Sequence, residues 1–117
     1  MNEITTKQQL DKFLGQVLHF SYISYGGIRV EYMKKIMSYE IPLYKIDKNL
    51  EQDIKQLMFY GKNTVILKSQ YKYQNKPFVQ DYEHYCMSNV YDTIRMPTKE
   101  EMNLYMQLLR RKRCGLD

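Results

Sequence analysis

The sequence predicts an α+β fold in which helices pack on an antiparallel sheet, and three features point to it. Two stretches read as strand pairs closed by turn-forming residues, Gly26-Gly27 in one and Gln74-Asn75-Lys76-Pro77 in the other. The run 98–115 reads as an amphipathic helix with both ends marked. Twelve tyrosines and no tryptophan raise the expectation of strands, because tyrosine suits a pleated surface and keeps its phenol at the edge of a core. The expected order is α-β-β-α-β-β-(β)-α. At 117 residues the chain has the size of one domain, 1–117, able to bury about two thirds of its unfolded surface without a disulfide or a metal.

The first helix is short. Thr5 and Thr6 followed by Gln8 and Gln9 resemble a capping box, and Leu10, Phe13 and Leu14 give an apolar face that stops at Gly15. Positions 16–25 then read as a strand, and the Gly26-Gly27 turn leads into a second strand from Ile28 to about Ser38. A two-residue turn pairs Tyr25 with Ile28, and so sets Ile23 opposite Val30 and Ser21 opposite Tyr32. Pro42 disfavours helix just before it and marks a boundary. Asp47 can cap a helix carrying Leu50, Ile54, Leu57 and Met58 at helical spacing, with Gly61 as its stop.

The second hairpin is expected to pair 64–73 with 78–87. A four-residue loop sets Tyr73 against Phe78, Ser69 against Tyr82, Val65 against Cys86, and Lys68 against Glu83. Positions 90–95 suit a last short strand. The closing helix then begins at Thr98, with Glu101 completing a capping box and Pro97 just outside it. Met102, Tyr105, Met106 and Leu109 recur on one face with Leu108 beside them. Glu100 and Glu101 suit the positive end of the helix dipole, Arg110 to Arg113 the negative end, and Gly115 a left-handed stop.

The net charge of +5 is concentrated. Of the eighteen Lys and Arg, four stand at 110–113, leaving fourteen against thirteen Asp and Glu, so the body is nearly neutral. Attraction for phosphate is therefore expected at Arg110, Arg111, Lys112 and Arg113, and secondarily where lysines gather at Lys68, Lys72 and Lys76. The stretch 68–76 interleaves lysines with tyrosines as a single-strand binding platform would. Alternation, however, puts Tyr71 and Tyr73 on the face of Val65 and Leu67, away from Lys68 and Lys72, which favours a core role for the tyrosines. At the helix end, phosphate contact and simple dipole compensation are both consistent with the four cations.

Catalytic and metal chemistry has thinner support. His84 and Cys86 would point the same way from one strand, with His19 and Cys114 the other soft ligands, but no recognisable spacing supplies a zinc site. A half-buried histidine and a core cysteine account for the pair, and parallel side chains do not converge as a Cys-His nucleophile pair must. Asp81 and Glu83 could hold a divalent ion as in metal-dependent nucleases, yet Tyr85 stands where a restriction-type motif has lysine, and cross-strand pairing with Lys68 explains them more simply. Gly26-Gly27 has no following Lys-Ser or Lys-Thr of a phosphate loop. No metal or cofactor is expected, and the cysteine usage suits a reduced cytoplasmic setting with no membrane span.

The run Arg95-x-Pro97-Thr98-x-Glu100-Glu101, followed by Leu104, Leu108 and Leu109, resembles the endings of many small proteins of bacteriophages and mobile elements. These include anti-CRISPR inhibitors and other anti-defence factors. The resemblance covers about a fifth of the chain and carries over no functional residue. It implies a binding role without chemistry: inhibition of a host nucleic-acid-directed defence complex, through the effector protein or its guide RNA. Direct binding of RNA or DNA by a regulatory protein is the alternative, and a metal-dependent nuclease a second one.

Overall fold

The computed structural model describes residues 3–24, 26–40, 58–69, 76–80, 84–87 and 93–115. They form α1 (Lys7–Asp11), β1 (Val17–Ile23), β2 (Arg29–Glu40), β3 (Met58–Lys68), β4 (Phe78–Gln80), β5 (His84–Met87), β6 (Thr93–Arg95) and α2 (Lys99–Arg113). The strands make one antiparallel sheet in the order β4-β3-β2-β1-β6, with β5 also paired to β3. The α+β architecture is therefore as the sequence reads, with a helix on each face.

Strand parity divides the core in two. Leu18 and Phe20 of β1, Val30, Tyr32 and Ile36 of β2, and Phe59 of β3 point to one face, where they cluster with Ile4, with Ile94 of β6 and with Leu10 of α1. Phe20 stacks on Tyr32 with ring centroids 5.3 Å apart. On the other face Met33 and Val65 are covered by Tyr105 and Leu109 of α2, with Val17, Leu67, Val79, Met102 and Leu108 packed around them. A buried sheet of this kind needs both helices, because neither apolar face tolerates water.

The start of α1 follows its sequence, whereas its end comes at Asp11, before the expected stop at Gly15. The Thr6 side chain accepts from the Gln9 N–H, and the Gln9 side chain accepts from the Thr6 N–H. Gly15 takes φ +84 and donates its N–H to Ile36 O, turning the chain into β1. Tyr39 donates its hydroxyl to Asp11, and burial followed by that carboxylate pushes its pKa up to about 12. At the opposite edge, Ile4 N–H donates to Ile94 O and Glu3 bridges to Arg95, so the first residues extend the sheet beyond β6.

The first hairpin is one residue longer than a Gly26-Gly27 turn. Ser24 N–H donates to Ile28 O and Gly27 takes φ +74, as in a loop ending on a left-handed glycine. The register accordingly sets Tyr22 opposite Val30, Ser21 opposite Glu31 and Phe20 opposite Tyr32, one step from the expected pairing. That step is what brings Phe20 against Tyr32.

The second hairpin departs further. Val65 pairs with Val79 and Cys86 with Phe59, instead of Val65 with Cys86. Strand β3 begins at Met58 and hydrogen-bonds on both sides, so its partners are chosen by β2 as well as by the following chain. The expected helix therefore does not extend over 58–61; its positions 47–57 lie outside the described residues. On the β2 side Lys68 stands opposite Glu31; its expected partner Glu83, with Lys72 and Asp81, lies outside the described residues.

The β2–β3 pairing is irregular at three points. One bulge sets the single residue Lys34 against Asn63 and Thr64, and there Asn63 takes φ +56, a left-handed conformation that asparagine tolerates better than most residues. Beside it, Lys34 lies buried with its ammonium 5.4 Å from the Tyr32 ring and its stem over Gly61.

Candidate functional site

Helix α2 is held at its start, along its middle and at its end by different means. At the start, Thr98 Oγ1 accepts from the Glu101 N–H at 3.1 Å, and Glu101 Oε1 accepts from the Thr98 N–H at 2.8 Å. The same carboxylate takes both terminal nitrogens of Arg95, at 2.8 and 2.9 Å, while Arg95 also donates to Met96 O. His19, paired across the sheet with Arg95, places Nε2 3.3 Å from Glu31 Oε1 and 3.4 Å from Glu101 Oε2. Arg95 and Glu101 thus tie the first turn of α2 to β6, with His19 of β1 and Glu31 of β2 beside them.

The electrostatics of this cluster favour a neutral imidazole and an ionised carboxylate. Burial, helped by the Arg95 guanidinium, lowers the His19 pKa below its ordinary 6.5, against the pull of Glu101 and Glu31. The hydrogen bonds from Arg95 bring Glu101 down to about 2, with the Thr98 N–H adding to the effect against the penalty of burial. His19 is only 1% exposed, so no substrate atom reaches the ring, and the cluster is an anchor for the helix.

Both shifts have the same sign for stability. An unfolded His19 takes a proton more readily than the folded one, so stability falls as pH drops below 6.5. The depressed Glu101 carboxyl adds a loss that begins near its ordinary 4.5 and is complete near pH 2. We expect Glu101→Gln to lower stability at neutral pH by about 1–3 kcal/mol and to flatten the acid limb below pH 4.5. Urea midpoints measured across that range check it. A variant with the wild-type acid limb would show that Arg95–Glu101 carries no pH-dependent stability.

Along its middle, α2 buries Tyr105 and Leu109 against Met33 and Val65. The Tyr105 hydroxyl donates to Asn63 O at 2.7 Å, fastening the helix to the left-handed bulge residue of β3. Burial raises the Tyr105 pKa to about 12 despite the opposing Arg113 charge, so the phenol stays a donor. At its end, Gly115 takes φ +69 and donates to Lys112 O.

Arg110, Arg111, Lys112 and Arg113 are all exposed on this anchored last turn. Among the described residues no salt bridge engages Arg110, Arg111 or Arg113. Lys68 and Lys76 are exposed too. Lys68 stands at the Glu31 end of β3, roughly 20 Å along the strand from Lys62. Met106, expected in the apolar stripe, is 46% exposed because the flank it occupies overhangs a cleft instead of the sheet.

That cleft, about 460 Å³, runs beside α2 over the end row of the sheet. Val17, Met96, Pro97, Met102, Met106 and Leu109 supply apolar wall; Lys35 and Arg113 supply cations. Val17 pairs with Lys35 on β1–β2, and Lys35 pairs with Lys62 on β2–β3, so Lys62 shares the face. Lys35 and Lys62 are companions to Arg113 that the sequence reading misses, since nothing local relates positions 35, 62 and 113. The left-handed Asn63 stands between Lys62 and Thr64, and its carbonyl accepts the Tyr105 hydroxyl of the helix.

No family model, no curated protein and no solved structure matches this chain. Among the described residues no group of three His, Cys, Asp or Glu side chains is set to hold a metal ion, and no helix is long and apolar enough to cross a membrane. The side chains of His84 and Cys86, and all of Asp81 and Glu83, fall outside what is described.

Proposed function

We propose that the protein is a non-enzymatic binding protein that captures and occludes a host nucleic-acid-directed defence complex, in the manner of the phage and mobile-element inhibitors its closing segment resembles. The observation that carries the reading is the exposed run Arg110 to Arg113, displayed on a helix whose start and middle are fastened by Glu101 and Tyr105. An anchored cationic end loses little conformational freedom on binding, which favours capture of a phosphate-bearing surface such as a guide RNA held in an effector. Lys68 and Lys76, also exposed, act as secondary phosphate contacts.

Phage plating on bacteria carrying an RNA-guided interference system tests the proposal. Expression of the protein should restore plating of a targeted phage by about tenfold or more, and Ser at positions 110–113 together should remove that restoration. Melting should change by no more than about 1 kcal/mol, since all four side chains are exposed. Plating that stays suppressed in hosts with DNA-targeting and RNA-targeting systems alike would sink the reading. Co-purification with nucleic acid at low salt, released at high salt in the absence of any effector, would favour the alternative of a direct nucleic-acid-binding regulator.

A further inference from the structure

The cleft beside α2 offers a combination that the tail lacks. Three unbranched methionines, Met96, Met102 and Met106, face it, and such side chains reshape around an inserted apolar group. Tyr105 also lines it but is 2% exposed and presents no free ring face, so a nucleobase would find no stacking platform there. The rim is cationic. Lys35 and Arg113 line it, and Lys62, outside the lining, stands directly opposite Lys35 across β2 and β3, an arrangement that repels. Among the described residues no carboxylate pairs with any of the three.

An apolar wall with adaptable side chains, bordered by cations that repel each other, is complementary to an apolar side chain with a carboxylate beside it. A single-stranded RNA would satisfy the cations and leave the methionines wet. We propose that this cleft is a docking groove for an acidic, apolar segment of a partner protein. The segment inserts a side chain between Val17, Met102 and Met106 and sets a carboxylate against Lys35, Lys62 and Arg113. The inference rests on the reading of the chain as a binding protein, but it uses residues apart from Arg110, Arg111 and Lys112, so a defence effector would be held at two places: phosphate on the tail and protein in the cleft.

The test uses a fluorescein-labelled helical peptide of the repeat Leu-Glu-Glu-Leu, the same peptide with Gln in place of Glu, and oligouridine, each titrated by fluorescence anisotropy. The Glu peptide should bind, and the Gln peptide should bind at least about tenfold more weakly. Met106→Asp and Lys35→Glu should each weaken the Glu peptide by about tenfold, with the Met106→Asp melting curve unchanged because that side chain is 46% exposed. Ser at Arg110, Arg111 and Lys112, with Arg113 kept, should leave peptide affinity within about twofold. Loss of phage protection in that variant with peptide binding intact supports both sites. Peptide binding without any phage protection by the wild-type protein would overturn the defence reading and leave the groove standing. No binding of the Glu peptide, equal binding of the Gln peptide, or equal binding to Met106→Asp would overturn the groove. Oligouridine that displaces the peptide and is itself lost in Lys35→Glu would overturn it in favour of RNA.

Discussion

Gly61→Ala is expected to lower the unfolding free energy by about 2–3 kcal/mol, although the change adds a single methyl group to a strand. A Cβ at this position would lie 2.4 Å from Cδ and 2.6 Å from Cγ of Lys34, and 2.9 Å from the Lys35 carbonyl oxygen. The lysine stem has nowhere to go, because Lys34 is 1% exposed and its ammonium is positioned near the Tyr32 ring. The Lys35 carbonyl is backbone in the β2–β3 ladder, where Ile36 pairs with Gly61. The glycine is thus required for space. It is absent from the glycines with positive φ, which are Gly15, Gly27 and Gly115, so conformational freedom is not the reason. Equilibrium urea denaturation measures the loss. Adding Lys34→Ala to Gly61→Ala should recover part of it, a coupling of about 1 kcal/mol, because two of the three clashing atoms are then gone. A loss below about 0.5 kcal/mol for Gly61→Ala would mean that β3 does not run under Lys34.

Tyr105→Ala should cost more, about 3–5 kcal/mol, as for other large buried rings truncated to a methyl. Tyr105 is one of the two buried residues by which α2 covers Met33 and Val65, and its hydroxyl supplies the bond to Asn63 O. Tyr105→Phe separates the two contributions. It keeps the ring, leaves the Asn63 carbonyl to water on the exposed bulge, and should cost about 1 kcal/mol. It should also change the alkaline limb. With its folded pKa raised to about 12, the phenol contributes stability that is fully present below pH 10 and is lost as pH rises toward 12, because the unfolded chain releases that proton first. Tyr105→Phe should therefore lose less stability across that window than the wild type, while Tyr39, raised to about 12 by burial and Asp11, continues to contribute. Identical alkaline limbs in the two proteins would place the Tyr105 hydroxyl in water.

The parts of this fold that sequence reading recovers are those whose causes are local. Thr98, Glu101 and Gly115 specify both ends of α2 within a few residues of themselves, and the capping box and left-handed stop are present as expected. Thr6 and Gln9 do the same for the start of α1, but that helix ends at Asp11 with Lys12 as its right-handed cap, so Phe13, Leu14 and Gly15 fall in the turn beyond it. The register of the first hairpin fails by one because Gly26-Gly27 is equally compatible with a two-residue turn and with the end of a longer loop. Phe20 against Tyr32 decides between them, and that contact is made by the rest of the sheet. Gly61 reads as a helix stop because Leu50, Ile54, Leu57 and Met58 share a helical period, whereas from Met58 onward the chain is a strand held between β2 and β5. No local signal reports a neighbour's lysine stem.

The candidate site divides along the same line. Arg110 to Arg113 are contiguous and visible in the charge pattern, and they are exposed as a contact residue must be. Lys35 and Lys62 become meaningful only through a three-strand register and a bulge at Asn63. His19 and Glu31 join Arg95 and Glu101 for the same reason.

The position of β6 bears on how the chain is made. Strand β1 is flanked on one side by β2, which follows it directly, and on the other by β6, which follows only after β2, β3, β4 and β5. As the polypeptide leaves the ribosome, the first hairpin closes early, but the outer edge of β1 stays unpaired until Thr93–Arg95 has been translated. Arg95 arrives in the same stretch and is the residue that fastens Glu101, so edge closure and helix docking are completed together. Ribosome-stalled chains that stop short of β6 should therefore be protease-sensitive along β1, even with the first hairpin already formed.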